Sequence, residues 1–246
     1  MAKCIFISPH FDDICFSMDG LLQNLKKHEK TIVNIFTKSC YIRRMSMSYS
    51  NQLERMELIS EIRRNEDVIF CSSYNINQTN LGFFEASTKS IVNKQQNNDL
   101  IYKKLVEIIN FDEEQLIFIP MGIGNHEDHL QIFNIFKNIV SEKTRTKFVI
   151  YEDLPYAHVR NDRYTRIGEL SNFLVANGFK NYNLHLNRKV ILQKRKDIML
   201  YESQHRYKNY KRVRIGRYLV RKSFLPSSIE SFWFQDYDVT ENLMVH

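Results

Sequence analysis

Two clusters of histidine and aspartate side chains could give this sequence a chemical function. Each cluster follows a short apolar run, CIFIS in the first case and QLIFIP in the second, in a chain of 246 residues. The cluster members are His10, Asp12, Asp13, His126, Asp128 and His129. Charged side chains are seldom placed beside a core unless they are paired or bind a metal. Imidazole and carboxylate are ligands that zinc accepts, so the two clusters together predict a metal site.

The spacing of these residues indicates a division of roles in hydrolysis. A catalytic zinc keeps three protein ligands and one open position for water, and His10, Asp13 and His129 can supply those ligands. Asp12 then remains available as a general base toward a water molecule whose pKa the ion lowers to about 7. His126 lies one helical turn before His129 and can stabilise an oxyanion or protonate a leaving amine.

Each cluster also has a simpler interpretation when it is considered alone. SPHFDD can be the capped start of a helix, with Ser8 or Asp12 as the N-cap, and HEDH can be a polar loop. In the metal interpretation, Asp128 supports a ligand from behind rather than binding the ion. Zinc is the expected metal, but sites made of histidine and aspartate also accept ferrous iron and other divalent ions.

The elements that must position these side chains follow from an alternation of short apolar runs with longer helical patterns. Such alternation is typical of βαβ units and a parallel sheet. The predicted strands are Cys4–Ser8, Thr31–Thr37, Asp67–Ser72, Gln115–Pro120 and Lys147–Glu152. The predicted helices are Asp19–His28, Leu53–Asn65, Leu100–Ile109 and Leu130–Ser141. With the common strand order 3-2-1-4-5, the first and fourth strands are neighbours, and their carboxyl ends bring both clusters into one pocket.

The alternation weakens after about residue 155. The sequence therefore predicts an α/β fold: a Rossmann-like open parallel sheet flanked by helices, with an appended C-terminal region over the active edge. Residues 1–246 are expected to form a single domain, because a chain of this length can bury one large core.

The composition is that of a globular protein, with 43% hydrophobic and 26% charged residues. No apolar stretch approaches the roughly 18 to 20 residues of a transmembrane segment. We also expect no signal peptide. The four cysteines fit no zinc-finger spacing and are interpreted as reduced thiols, which favours a cytoplasmic location. No pattern in the sequence indicates the oligomeric state.

The formal net charge of +7 is concentrated late in the chain. The run RYKNYKRVRIGRYLVRK, from Arg206 to Lys222, contains no acidic residue. A solvated basic face is the simpler interpretation of this run. It could instead attract a nucleotide-linked or lipid-linked substrate, or make the protein a binder of nucleic acid or anionic surfaces. Nucleic acid is not the expected partner, because that function would leave the histidine and aspartate clusters unexplained.

Both clusters also resemble the signatures of a known family. SPHFDD is similar to the (A/S)PHxDD signature, and NHEDH to the HxDH signature, of the LmbE/PIG-L family of metal-dependent N-acetyl deacetylases, in its SPHxDD branch. The resemblance implies that His10, Asp13 and His129 bind zinc, that Asp12 is the general base and that His126 helps to stabilise the tetrahedral intermediate. It also implies that the substrate is an N-acetylated amino sugar or sugar conjugate.

Weaker resemblances indicate residues that shape the substrate pocket. The segments RRNED, YEDLPY, YESQ and ESFW resemble further signatures of the family or of the SPHxDD branch. The candidate substrate-binding residues in these segments are Arg63, Glu66, Asp153 and Tyr156. Tyr49 is a further candidate, because it lies in a loop after the second strand and such loops usually form the substrate rim. The chain departs from the family at Asp19 and Gly20, where a Gly-Gly pair is common. A metal-dependent hydrolase of another ester or amide bond is an alternative function, since fold and metal ligands do not fix the substrate.

Overall fold

A computed structural model describes residues 2–42, 51–92, 97–140, 145–204 and 228–235. Within these residues the chain forms one seven-stranded sheet with helices on both faces. The strands are β1 (Lys3–Ser8), β2 (Glu29–Lys38), β3 (Asn77–Phe84), β4 (Gln115–Pro120), β5 (Lys147–Tyr151), β6 (Lys180–His185) and β7 (Ile229–Phe234). The helices are α1 (Asp13–Asn24), α2 (Gln52–Ser73), α3 (Asn98–Ile108), α4 (Glu127–Val140), α5 (Arg160–Ala176) and α6 (Arg188–Ile198).

The strand order is β3-β2-β1-β4-β5-β7-β6, so the predicted order of the first five strands is confirmed. Those five strands are parallel, whereas β7 is antiparallel to both β5 and β6. β1 and β4 are neighbours. From this pair the sheet continues through β2 on one side and through β5 on the other. The strand order therefore reverses between them, which places a binding crevice at their carboxyl ends.

Two apolar layers hold the helices on the sheet. Alternate residues of β1 face opposite layers, so that Phe6 packs under α1, α2 and α6, while Ile5 packs under α3, α4 and α5. The Phe6 ring stacks on Phe118 of β4 with their centroids 4.6 Å apart. Complete burial of such side chains contributes about 1.5–3 kcal/mol each, so the two strands that carry the clusters are firmly joined.

The predicted strand Asp67–Ser72 is wrong, because these residues belong to the last part of α2. The helix places Val68 and Ile69 on its outer surface, where they are 40% and 54% exposed. The apolar run therefore has the composition of a buried strand, although it is helical. The true third strand, Asn77–Phe84, lies at the sheet edge and is polar and only half-buried, so it has no strong apolar signal.

The first helix also differs from its prediction, since it spans Asp13–Asn24 rather than Asp19–His28. Its first ten residues, 13–22, are all buried. A helix that is buried on every side has no polar face, and hence no amphipathic periodicity in the sequence. Its earlier start places Asp13 in the first helical turn, directly at the carboxyl edge of the sheet.

The C-terminal region both widens the sheet and reaches the active edge. β6 and β7 form an antiparallel pair that joins the sheet beside β5. After α6 the chain returns to α2, where Ser203 and Gln204 are buried near the first cluster. No helix among the described residues is long and apolar enough to cross a membrane. Tyr49 and the basic run Arg206–Lys222 lie outside the described residues.

Candidate functional site

The two clusters meet at the carboxyl ends of β1 and β4, as predicted. A tight turn after β1 carries the first cluster, and the Ser8 hydroxyl donates a 2.5 Å hydrogen bond to the His10 carbonyl within it. The His10 backbone N–H donates to Asp13 Oδ2 over 2.7 Å. Asp12 stands at the N-cap position of α1 but its side chain makes no capping hydrogen bond. Helix capping therefore does not explain why an aspartate is present at position 12.

Three side-chain atoms of the clusters form a small triangle. His10 Nδ1, Asp13 Oδ2 and His129 Nε2 lie 3.3 Å from one another along every side. Ligand atoms bound about 2.0–2.1 Å from a tetrahedral zinc are separated by about 3.3 Å. The triangle therefore has the size that three ligands of one such ion require.

Each histidine of the triangle is held by a carboxylate on its other ring nitrogen. His10 Nε2 is 2.9 Å from Asp128 Oδ2, and His129 Nδ1 is 2.6 Å from Asp153 Oδ1. Asp153 also accepts a 2.9 Å hydrogen bond from the Ile123 N–H. Carboxylates in this position fix the tautomer and orientation of metal-binding histidines and raise their basicity.

The electrostatics of the triangle favour positive charge. Burial opposes protonation of His10, but the nearby Asp13 and Glu85 carboxylates raise the pKa of His10 well above its usual range. Burial likewise opposes the cationic form of His129, yet Asp13 and Asp153 raise its pKa to about 9. Burial acts to raise the pKa of Asp13, but His129 and His10 hold that pKa well below its usual range. Such surroundings are suited to a cation.

Asp12 lies beside the triangle but outside it. Its Oδ1 accepts a 3.1 Å hydrogen bond from Arg63 Nη2. Burial raises the pKa of Asp12, and the Arg63 guanidinium partly opposes that effect. Arg63 is itself buried and donates to Ser39 Oγ over 2.6 Å and to the Glu85 carboxylate. Asp12 is thus a fixed carboxylate with raised basicity, which suits it to accept a proton.

His126 occupies the mouth of the site. Its ring centroid is 4.9 Å from that of His10 and 5.2 Å from that of His129. Its Nδ1 has no hydrogen-bond partner among the described residues and lies 4.0 Å from Asp128 Oδ2. Burial lowers the pKa of His126, and positive charge on His10 and His129 lowers it further. The three histidines also offer ligand atoms within 4.8 Å of one another, so His126 is close enough to act on anything bound to the triangle.

A cavity of about 300 Å³ opens above these residues. Aromatic and polar side chains from seven separate parts of the chain form its walls. Besides His10, Asp12, Asp13 and His126, the lining consists of Phe16, Tyr41, Arg63, Glu85, Ser87, Pro155, Tyr156 and Gln204. Aromatic rings beside convergent polar groups are typical of a pocket that binds a small polar molecule such as a sugar.

Similarity to known proteins shows the family of this chain. A model of the family described as GlcNAc-PI de-N-acetylase (PIG-L) matches residues 5–140, which is more than half of the chain and includes both clusters. The chain belongs to the PIG-L family. It is 24% identical over 172 residues to 2'-N-acetylparomamine deacetylase from Streptomyces fradiae, an alignment that covers 65% of this chain. The aligned part spans only 59% of the length of that relative.

Solved structures share the fold of this PIG-L family chain. A40926 pseudoaglycone deacetylase Dbv21 superimposes with a TM-score of 0.63 at 17% identity, covering 95% of this chain and 96% of that one. The zinc-inhibited form of teicoplanin deacetylase Orf2 gives a TM-score of 0.59 at 18% identity, with 95% and 97% covered. At such identities the likeness establishes the fold of the PIG-L chain and leaves its substrate open.

The candidate substrate-binding residues fall in different places. Arg63 and Tyr156 line the cavity. Glu66 does not line it, because its carboxylate accepts 2.7 Å and 2.6 Å hydrogen bonds from the Ser203 N–H and hydroxyl. Asp153 is completely buried behind His129, so the geometry argues against the expected contact with substrate.

Several residues of the site were not predicted from the sequence. Glu85 lines the cavity, and both Glu85 and Ser39 contact Arg63. Glu85 follows β3 and Ser39 follows β2, so their position at the carboxyl ends of strands is the signal that could have identified them. The misassigned third strand concealed this signal for Glu85. Gln204 lines the cavity as well, and the resemblance of its segment YESQ did not assign it a role.

Proposed function

We propose that this chain is a metal-dependent deacetylase that hydrolyses the N-acetyl group of an amino sugar or sugar conjugate. The observation that carries the proposal is the triangle of His10, Asp13 and His129 with the Asp12 carboxylate beside it. Family membership supports the reaction type, and the relatives named above are deacetylases. The proposal treats residues 1–246 as one domain, since a single sheet includes strands from residue 3 to residue 234.

His10, Asp13 and His129 are the residues that would hold the metal, and zinc is the ion that we propose. The equal 3.3 Å separations of their ligand atoms and the carboxylates behind both histidines support this assignment. A bound zinc supplies a Lewis acid that polarises the amide carbonyl and lowers the pKa of water. Ferrous iron would meet the same donor atoms, so metal analysis must identify the ion.

The remaining cluster residues would move protons and stabilise charge. Asp12 would accept a proton from the attacking water and pass it to the departing amide nitrogen, while Arg63 keeps its carboxylate in place. His126 would donate a hydrogen bond to the carbonyl oxygen as negative charge develops there. Its position at the mouth of the site supports this role, and so does its Nδ1, which has no hydrogen-bond partner in the part of the chain that the structure describes.

The cavity walls support a sugar as the substrate. Tyr41 and Tyr156 present aromatic side chains on which a sugar ring can pack, and Ser87 and Gln204 offer groups that can bind its hydroxyls. A cavity of about 300 Å³ is at the small end of the range for ligand sites. We therefore infer that one acetylated sugar ring is enclosed and that the rest of a larger conjugate remains outside.

Metal content per chain tests the foundation of this proposal. We expect wild-type protein, purified without chelator, to carry about one divalent ion, and His129→Ala to lose most of it. The exposed His185 provides a matched control, His185→Ala, which should retain the ion. A wild-type chain that neither retains an ion nor takes one up from added zinc would exclude a metallohydrolase.

Acetate release then tests the reaction. The substrates are N-acetylglucosamine, larger N-acetylated sugar conjugates and an O-acetylated sugar, with zinc at one equivalent because a zinc-inhibited form is known for Orf2. We expect acetate and free amine from at least one N-acetylated sugar. Acetate from the ester alone would support the alternative of a metal-dependent ester hydrolase.

A further inference from the structure

A second and larger cavity lies at the end of the molecule opposite the active edge. Its volume is about 950 Å³, and it opens between the C-terminal ends of α1 and α2 and the helix α6. Because α1 begins at the active edge and extends 12 residues, its far end is about 18 Å from the triangle. We call this cavity the basic cleft. It is separate from the proposed catalytic site.

Four cations line the basic cleft without any acidic lining residue. They are Lys26, Arg188, Lys189 and Lys196. None of them forms an ion pair with any part of the chain that the structure describes, whereas Lys194 on the same helix pairs with Glu230. The first turn of α6 carries two of the four cations and no acidic residue. Converging cations repel one another, so a bound anion would relieve a cost that the described residues leave in place.

Two buried carboxylates accept hydrogen bonds from side chains that line the basic cleft. Asp19 accepts a 2.9 Å hydrogen bond from the Gln23 side chain. Asp197 accepts a 2.7 Å hydrogen bond from the Tyr74 hydroxyl and further hydrogen bonds from Gln193. Both aspartates are buried, at 0% and 3% exposure, and no described contact joins either of them to the four lining cations. They do not take the place of an anionic ligand.

Apolar side chains also line the basic cleft. Leu22 is completely buried, Leu192 is 45% exposed, and Tyr74 lies between them in exposure. A cavity lined by both charged and apolar side chains fits a compact ligand better than the flat surface of a bilayer. The ligand should combine anionic groups with an apolar or aromatic part, and it should be of a size that about 950 Å³ can hold.

We propose that the basic cleft binds a soluble phosphoryl compound of the nucleoside diphosphate class. Its phosphates would contact the four cations, and its base would pack against Tyr74 and the two leucines. The proposal does not depend on the deacetylase function, because nothing in it involves the triangle.

Titration calorimetry with ADP tests this assignment on the full chain. We expect saturable binding that weakens at least about tenfold in the double variant Arg188→Gln/Lys196→Gln, because two phosphate contacts are lost. The matched control, Lys103→Gln/Lys104→Gln, removes the same charge from exposed positions of α3 on the opposite face of the sheet and should bind ADP as the wild type does. Binding to the wild type should also weaken several-fold between about 50 mM and about 200 mM salt.

Two results would overturn the proposal: absence of saturable ADP binding, or equal binding by the wild type and the cleft variant. If ADP binding is absent and the wild type, but not the cleft variant, sediments with vesicles of phosphatidylserine and phosphatidylcholine, the basic cleft is assigned to an anionic bilayer instead. Neither result bears on acetate release, so failure here is distinguishable from failure of the proposed deacetylase function.

Discussion

Asp12 and Asp13 are chemically identical neighbours with different surroundings. Asp13 Oδ2 lies 3.3 Å from the ligand nitrogens of His10 and His129, while Asp12 faces the Arg63 guanidinium. The α-helix that starts at Asp13 causes this difference, since it turns consecutive side chains by about 100°. The proposed function therefore uses one aspartate to bind the metal and the other to transfer a proton.

Exchanging each aspartate for asparagine should separate these two roles. Asp12→Asn cannot accept a proton, so we expect kcat for acetate release to fall by about 10²–10⁴ while the metal content stays near that of the wild type. Asp13→Asn removes an anionic ligand and should lose the metal as well. Metal analysis and acetate release on both variants measure this. Loss of metal from both variants to the same extent would contradict the division of roles.

Asp153 acts on the site through His129. Its carboxylate is completely buried and holds His129 Nδ1 at 2.6 Å. We expect Asp153→Asn to weaken metal binding by about 10–100-fold in a chelator competition assay. The neighbouring Glu152 is similarly buried but pairs with Arg163, so Glu152→Gln controls for a general loss of stability. Equal affinities in the two variants would show that the His129 contact has no such role.

At this scale, residue types and spacing were sufficient to propose the ligands, because histidine and aspartate side chains that follow a buried strand seldom serve packing alone. Residue types and spacing did not predict which side chains contact the site residues. Glu85 and Ser39 surround Arg63, yet both come from loops without a motif. A side chain that contacts another element leaves no periodic signal in its own segment, and only the packed fold reveals it.

Among the described helices, α1 has the largest buried share of its residues, and Gly20 lies at one of its close contacts. A Cβ atom at this position would collide with Leu186 Cδ2 and would lie 2.9 Å from Glu230 Oε2. Glu230 cannot withdraw easily, because it accepts hydrogen bonds from the Gly20 and Leu21 N–H groups and pairs with the buried Lys194. The glycine thus allows α1 to approach β7 closely.

Alanine at two helical glycines should have opposite effects on stability. Gly20→Ala should lower the free energy of unfolding by about 1–3 kcal/mol, since the added methyl group overpacks the contact with β7. Gly168→Ala in α5 has nothing within 4 Å of the new Cβ and should raise stability by up to about 1 kcal/mol. Urea denaturation midpoints test both variants. A Gly20→Ala variant as stable as the wild type would mean that α1 can shift.

Strands that are buried on both faces of the sheet were predicted correctly, whereas the strands at the two edges of the sheet were not. The central strands β1, β4 and β5 are almost entirely buried and produced continuous apolar runs. β3 and β6 lie at the two edges of the sheet and are largely polar, so the run within α2 was mistaken for the third strand. β7 was missed although its buried residues alternate, because it follows a long interval without a recognisable unit.

On the scale of the whole molecule, a buried cluster of charge joins the C-terminal region to α1. Asp19 faces Asp197 and Lys194 of α6, Glu230 of β7 and Tyr74 after α2. Burial is the main cause that raises the pKa of Asp19 to about 7, the negative charge of Asp197 adds to it, and Lys194 opposes it. Asp19 thus retains its proton in the folded chain at a pH where the unfolded chain has released it.

This cluster should give stability a specific pH dependence. Between about pH 4 and about pH 7 the folded state binds the Asp19 proton more tightly than the unfolded state, so the free energy of unfolding decreases as pH rises. Asp19→Asn removes this effect. The stability of the variant relative to the wild type should increase across that interval, by up to about 4 kcal/mol, and remain constant above it.

Urea unfolding at a series of pH values measures the difference between wild type and Asp19→Asn. The exposed Asp112 supplies a control variant, Asp112→Asn, which makes the same change of side chain outside the buried cluster. A constant difference for Asp19→Asn would mean that Asp19 is ionised at little cost, and that Lys194 neutralises the cluster fully.

The triangle of ligand atoms joins residues that are far apart along the chain. His10 and His129 are separated by 119 residues, and Asp153, which holds His129, lies a further 24 residues along. Closing so long a loop is entropically costly until β1 and β4 have paired and the helices between them have packed. During synthesis, a chain that has emerged only as far as α4 still lacks Asp153. If the proposed metal site is correct, its ligands acquire their full set of supporting carboxylates only after the chain beyond β5 has been synthesised.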